Sequence, residues 1–214
     1  MKQILLAGET MLLLAQKALY WPRRKMLIVA DIHFGKASAF RALGVPVPHG
    51  TTSDNLAGLD VLLAAHEVEH IVFLGDFLHS RAAHAPATLA AMLAWRHKHA
   101  GLRLTVVRGN HDVHAGDPAA GLNIDMADEP YQVVPFALCH HPQLESPLYV
   151  LAGHVHPVYR LSSRRDALRL PCFLIGRTRA VLPSFGAFTG GYLVKPQAGE
   201  RIFLTADNMV FEAA

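Results

Sequence analysis

Five short aliphatic runs, MLIVA, IVFLG, LTVVRG, FALC and LYVLAG, each stop abruptly at a polar cluster. Runs of this length without alternation predict strands buried on both faces. The first three fall at 26–30, 71–75 and 103–108, and the stretches between them have helical periodicity. One predicted helix covers 54–70, with Ser53 or Asp54 as cap and Leu56, Leu59, Leu62 and Leu63 on one face. The other covers 85–100, with Pro86 in its first turn and Gly101 just past its end. Beyond about residue 130 the helical period disappears, and candidate strands follow at 132–139, 147–152, 167–175, 179–182, 191–195 and 201–205. The first half therefore reads as βαβ units and the second as antiparallel. Residues 1–16 add two short strands joined by a Gly8-Glu9 turn.

Composition narrows the class. The 214 residues fit one domain, taken as 1–214, and 51% hydrophobic against 17% charged residues suits a well-covered sheet. No run of 18 apolar residues occurs, so no membrane span is expected. The opening MKQILLAGETMLLLAQ superficially resembles a signal peptide, but Glu9 and Thr10 interrupt its apolar run, which reads as mature protein. Two cysteines, Cys139 and Cys172, both in apolar runs, make no disulfide framework and point to a reducing cytoplasm. A net charge of +3 mildly favours an anionic partner. Of the 14 histidines, His66, His70, His97 and His99 fall on predicted helices as surface residues.

The five or six histidines inside the polar clusters carry the chemistry. The strand ends read Asp31-Ile32-His33, Gly75-Asp76, Gly109-Asn110-His111-Asp112, His140-His141 and Gly153-His154-Val155-His156. Open α/β sheets bind ligands beyond the carboxyl ends of their strands, where such clusters can converge. Residues two apart share a side if a strand continues, which pairs Asp31 with His33 and His154 with His156. With Asp76, Asn110 and His140, seven donors result, too many for one tetrahedral ion and suited to two ions sharing a carboxylate. Carboxylate, imidazole and amide oxygen together suit Mn²⁺, Fe²⁺ or Zn²⁺. Paired metals clamp the attacking and leaving oxygens of a phosphoryl displacement, with in-line attack by a metal-bridging hydroxide. His111 is the candidate acid for the leaving group, and Asp112 the carboxylate that orients its imidazole.

In this order the blocks resemble the calcineurin-like metallophosphoesterases, over residues 26 to about 190. The resemblance implies an α/β fold, a four-layer α-β-β-α sandwich of the metallophosphoesterase type, with its dimetal site at the sheet edges. It implies one metal on Asp31, His33, Asp76 and His156. The second metal takes Asp76, Asn110, His140 and His154, with Asp76 bridging. In the His140-His141 pair the family's ligand directly follows the strand, which favours His140; alternation puts His141 on the opposite face. The stretches ALYWPRRKMLIVADIHFGKASAFRALGVPVP, GDFLHSR, LAGHVHP, LRLPCF and VLPSFGAFTGG further resemble bacterial ligase-associated DNA-damage-response endonucleases. That implies a bacterial, cytoplasmic, Mn²⁺-dependent DNA endonuclease of DNA repair, partnered by an ATP-dependent DNA ligase, a helicase and an exonuclease. A phosphomonoesterase or small-molecule or cyclic-nucleotide phosphodiesterase uses the same chemistry, and a non-catalytic scaffold is the alternative outside enzymes. A scaffold typically loses ligands, and none is missing here.

Cations near the blocks are candidate phosphate contacts: Lys36, Arg41, Arg81, Arg108 and Arg160, with Arg164, Arg165 and Arg169 in a following loop or hairpin. Phe34, Phe40 and Phe77 lie near the motifs as buried supports or stacking platforms, and His79 as a support or substrate contact. With no cap domain evident, the site is expected to be open, which suits single-stranded or flexible DNA.

Overall fold

The computed structural model describes residues 1–47, 50–162 and 167–213. The first sheet holds β1 (Lys2–Leu6), β2 (Glu9–Leu13), β3 (Leu19–Trp21), β4 (Met26–Val29), β5 (His70–Leu74), β6 (Arg103–Val107) and β7 (Asp125–Ala127), side by side in chain order. Strands β1 to β4 pair antiparallel. From β4 to β7 the pairing is parallel. Parallel neighbours need crossovers, and these hold α1 (Lys36–Ala42), α2 (Thr51–Ala65), α3 (Pro86–Lys98) and α4 (Asn110–Ala115). The turn between β1 and β2 is Ala7-Gly8, both left-handed, one residue earlier than the sequence suggests.

The second sheet is built from β8 (Tyr131–Val133), β9 (Phe136–Leu138), β10 (Tyr149–Ala152), β11 (Pro157–Ser162), β12 (Ala167–Ile175), β13 (Arg179–Val181) and β14 (Tyr192–Leu193). Its order is β14-β11-β12-β13-β10-β9-β8, with β15 (Arg201–Ala206) beside β12 and β16 (Met209–Glu212) beside β15. It is mixed rather than antiparallel: β10 runs parallel to β9 and β13, and β11 to β14.

Alternation on the two faces of β4, β5 and β6 explains the layers. Leu27, Val29, Ile71, Phe73, Leu104 and Val106 pack under Leu56, Leu59 and Leu62 of α2 and Met92 and Trp95 of α3. Ile28, Val72, Leu74 and Val107 face the other way, against Phe136, Leu138, Leu151, Phe173 and Phe203 of the second sheet. This is the expected mixed α/β arrangement of two sheets with helices outside the first. The outer face of the second sheet carries small apolar clusters around Cys139 and Cys172. All helices of the described residues precede residue 123, so the second outer layer is not helical there. No helix of the described residues is long and apolar enough to cross a membrane.

Helix α2 stops at Ala65, short of the expected 70, and its N-terminus has Gly50 as cap with no side-chain bond from Ser53 or Asp54. The reason lies in residues 66–70: Glu69 and His70 N–H both bond to the Lys25 carbonyl, which draws the chain into β5. His70 is thereby a buried strand residue, not a surface helix residue, its Nε2 2.8 Å from Thr105 Oγ1. Burial pulls its pKa down to about 4.

Candidate metal centre

Every motif block leaves the carboxyl end of a strand in one of two sets of parallel neighbours. Asp31 and His33 follow β4, Asp76 follows β5, and Asn110 to Asp112 follow β6. His140 follows β9, and His154 and His156 follow β10 beside it. The convergence does not come from strand pleating. Asp31, His33, Asp76, His154 and His156 all have left-handed backbones, with φ between 49° and 69°. Residues two apart still meet, but through sharp turns that a side chain ordinarily avoids. Glycines make room for them. A Cβ on Gly153 would stand 2.7 Å from Asp31 Oδ2, and Gly75, itself left-handed, lies against the His140 ring.

The donors fall into two groups. In the first, single ligand atoms of Asp31, His33, Asp76 and His156 all lie within 4.8 Å of one another. His33 Nε2 is 3.4 Å from His156 Nε2 and 3.7 Å from Asp76 Oδ2, and His156 Nε2 is 3.5 Å from Asp31 Oδ1. Ligands at about 2.1 Å from a tetrahedral ion stand about 3.4 Å apart, so the set fits a divalent metal. In the second group, His140 Nε2 is 2.9 Å from Asn110 Oδ1, 3.0 Å from His154 Nδ1 and 3.5 Å from Asp76 Oδ1. Asp76 thus presents one oxygen to each group.

Protonation supports the same fit. His140 Nδ1 is 3.1 Å from the Leu74 carbonyl and His156 Nδ1 3.2 Å from the Gly190 carbonyl. A carbonyl only accepts, so each ring donates through Nδ1 and its Nε2 in the neutral form bears a lone pair. Those lone pairs face oxygens and other ring nitrogens, a cluster of acceptors that calls for a cation. Burial pushes the His33 pKa far down, keeping that ring neutral. Burial, with His140 and His141 nearby, also lowers that of His154.

His141 takes another role from its neighbour. Its Nδ1 is 2.5 Å from Glu129 Oε1, and Glu129 Oε2 accepts the N–H of His140 at 2.7 Å and of His141 at 2.9 Å. Glu129 therefore fixes the turn that aims His140, a role no motif announces.

Asp112 departs from its expected role. It is buried, and its carboxylate accepts N–H from Leu78 at 2.8 Å, Gly109 at 3.0 Å and Phe77 at 3.3 Å. Burial raises its pKa, while those N–H groups pull it back. The His111 imidazole is held instead by the His79 carbonyl, to which Nδ1–H donates at 2.8 Å, and by stacking on the His79 ring at 4.7 Å. Spacing suggested a carboxylate–imidazole pair, but first-turn acids of a helix point back at unpaired N–H groups. His111 Nε2 is left facing Asp76 Oδ2 at 4.0 Å, with 38% of the side chain exposed. His79 also places Nδ1 3.4 Å from His33 Nδ1, and burial takes its pKa to about 4.

Two further supports escaped the motifs. Asn55 of α2 donates to the Ile32 carbonyl at 2.9 Å and accepts Ala187 N–H at 2.8 Å. Ser184 Oγ donates to the Asp31 carbonyl at 2.8 Å. Together they clamp the first ligand loop to residues 184–187.

The candidate phosphate contacts separate. Lys36 opens α1 after His33, with burial lowering its pKa against the pull of Asp76 and Asp31. Arg81 is exposed two residues beyond His79. Arg41 reaches Ser38 Oγ at 3.3 Å. Arg108 is engaged by Asp117, and by Asp128 at 3.6 Å, which answers its charge within the protein. Arg160 is exposed on β11 opposite Arg169 of β12, while Arg164 and Arg165 lie outside the described residues. Phe34 and Phe77 are buried in the core; half-buried Phe40 contacts Phe188 and His79.

Comparison with known proteins comes down on the same chemistry. The family model described as calcineurin-like phosphoesterase matches residues 24–166. The crystal structure of Pseudomonas putida nuclease MPE is 48% identical, covers 99% of each chain and superposes with a TM-score of 0.89. A protein of unknown function from Aquifex aeolicus, AQ665, aligns at 17% identity over 66% of this chain and 81% of that one, with a TM-score of 0.40. No curated protein matches the sequence.

Proposed function

The chain belongs to the calcineurin-like phosphoesterase family, and from that premise we propose that it is a Mn²⁺-dependent DNA endonuclease acting in DNA repair. The observation that carries the reading is the likeness to the Pseudomonas putida nuclease along 99% of both chains, joined to an unbroken set of metal donors. Openness supports a polymer substrate: Asn110 and His154 are exposed at the rim, so a strand could pass across the site. Asp31, His33, Asp76 and His156 would hold one ion, and Asp76, Asn110, His140 and His154 the other. Bound there, the metals supply charge neutralisation at the phosphoryl oxygens and activation of water. Mn²⁺ suits the mixed oxygen and nitrogen donors; Fe²⁺ or Zn²⁺ would also be accepted.

The protein's own residues do the rest. His111, fixed through Nδ1 by the His79 carbonyl, directs Nε2 into the site and protonates the departing oxygen. Lys36, near enough to Asp76 and Asp31 to feel their charge, and exposed Arg81, two residues beyond His79, attract phosphates. Two buried free thiols agree with a reducing cytoplasm. The repair partners inferred are an ATP-dependent DNA ligase, a helicase and an exonuclease.

The test is nicking of closed circular single-stranded DNA by protein stripped of metal and then given Mn²⁺, with Asp76→Asn beside it. Linearisation that needs both Mn²⁺ and Asp76 is the expected result, since a circle has no ends for an exonuclease. An intact circle, with a monoester or small diester turned over instead, overturns the DNA reading in favour of a phosphatase or small-molecule phosphodiesterase.

A further inference from the structure

Strands β11 and β12 form a hairpin that begins one residue after His156. Its register pairs Val158 with Pro171, Arg160 with Arg169 and Ser162 with Ala167 on one face. Tyr159, Leu161 and Leu170 on the other face pack against the cluster around Cys172, Ile202 and Leu204. Strand β14 reaches β11 only at Pro157 and Val158, and β13 and β15 reach β12 only from Cys172 onward. The arginine-bearing part is therefore a two-stranded arm, with no third strand beside it among the described residues.

The arginine pair breaks a rule of sheet construction. Side chains directly opposite across antiparallel strands stand about 5 Å apart, and like charges there repel. Four other arginines have acids: Arg23 has Glu9, Arg103 has Asp125, Arg108 has Asp117 and Arg201 has Glu212. Neither Arg160 nor Arg169 has an acidic partner among the described residues; Arg169 reaches only the Gly191 carbonyl, at 3.3 Å. The same face continues towards the metal centre. Val158 and Pro171, one step nearer, line a cavity of about 180 Å³ together with His156, Lys17, Ser184 and Thr189. At about 3.3 Å per residue, Arg160 lies about 13 Å from His156 along the strand.

We propose that this face of the β11–β12 hairpin is a track for the phosphate backbone of a DNA strand, holding it a few nucleotides from the bond being cut. The proposal rests on the DNA reading above and adds to it where the strand lies and which residues grip it. A phosphate between Arg160 and Arg169 relieves their repulsion, and the pair reads charge and spacing rather than sequence. Only a polymer reaches both the arm and the metals, so the track separates nucleic acids from small phosphoesters.

The experiment measures KM and kcat for a single-stranded oligothymidylate over a range of NaCl concentrations, using Mn²⁺-loaded wild type and the Arg160→Ala/Arg169→Ala double variant. Bis(p-nitrophenyl) phosphate, too short to span the arm, is the reference substrate. The pair neutralises one phosphate, worth about 0.7 in the salt slope of a single strand, so the double variant should be shallower by about 0.7. The loss is expected in KM for the oligonucleotide, so its kcat/KM falls relative to that for the small diester. Arg160→Lys/Arg169→Lys retains the charges and should recover most of the slope. An unchanged slope and ratio, in a wild type that does cut DNA, overturns the track and leaves the nuclease reading standing. A wild type that cuts no DNA overturns the reading beneath it.

Discussion

Replacing Asp112 by Asn removes one charge and exchanges one carboxylate oxygen for an amide NH₂. Oδ1 accepts from Leu78 N–H, and Oδ2 from Gly109 and Phe77 N–H. Whichever way the amide turns, one or two buried N–H groups then face another donor. Each unsatisfied group costs about 1–3 kcal/mol, so the variant should lose about 2–4 kcal/mol. For a protein of this length, about 2–4 °C of Tm accompanies each kcal/mol, giving a fall of about 5–15 °C. The damage reaches the centre because Phe77 follows Asp76 and Gly109 precedes Asn110. Both are ligand candidates of the second group, whose metal affinity should fall as well. Thermal unfolding in chelator, then with Mn²⁺ added, measures the two effects separately. An unchanged Tm in chelator with a large loss of kcat would refute the reasoning, since it would mean that Asp112 works through the His111 ring.

His111→Ala should keep its metal content by elemental analysis and lose more turnover on poor leaving groups than on p-nitrophenolate; loss of metal would make His111 a ligand. Burial brings the Lys17 ammonium from 10.5 down to about 8, its Nζ donating to the Phe185 carbonyl at 2.8 Å. Between those values the unfolded chain holds more protons, so stability should rise with pH across that window, by about 3 kcal/mol. Urea titrations at pH 7 and pH 10.5 read that rise, and Lys17→Met should abolish Lys17's share of it; an equal rise in both proteins refutes the assignment. Burial also pushes the Cys139 and Cys172 thiols up to about 11 and about 12, so a disulfide reagent should label them only after unfolding. Labelling of native protein at the unfolded rate would contradict that.

The strand ends were legible because a buried parallel strand must be aliphatic and its polar successor is conspicuous. That marked β4, β5, β6, β9 and β10, and with them every candidate ligand. Strand β11 was not legible: it begins at Pro157 and alternates arginine and serine with partly buried Tyr159 and Leu161. Helix α1 has only seven residues and no side-chain cap, so it sends little periodic signal. Glu129 and Asn55 act through backbone groups distant in sequence, which spacing alone cannot disclose. The Asp112 reading failed for the opposite reason. Adjacency to His111 suggested a pair, while the N–H groups that claim the carboxylate belong to another loop.

Left-handed backbone at Asp31, His33, Asp76, His154 and His156 costs about 1–2 kcal/mol at each residue. Such turns persist only where other contacts fix them, and here the loops fix one another. His33 N–H donates to the Asp76 carbonyl at 2.9 Å, and His111 N–H to Asp76 Oδ1 at 3.0 Å. His154 N–H lies 3.1 and 3.0 Å from the two Asp31 oxygens, and Gly153 N–H donates to the His140 carbonyl at 3.1 Å. Asp31 leaves the first sheet and His154 the second, so their bond joins the two sheets at the centre itself. A carboxylate that braces a strained turn in this way is already aimed before a cation arrives, and little reorganisation remains for binding. The same economy makes substitutions at Asp31 or Asp76 hard to interpret from activity alone, because each removes a ligand and a brace at once. Metal affinity and chelator-treated stability, measured together, are what separate the two losses.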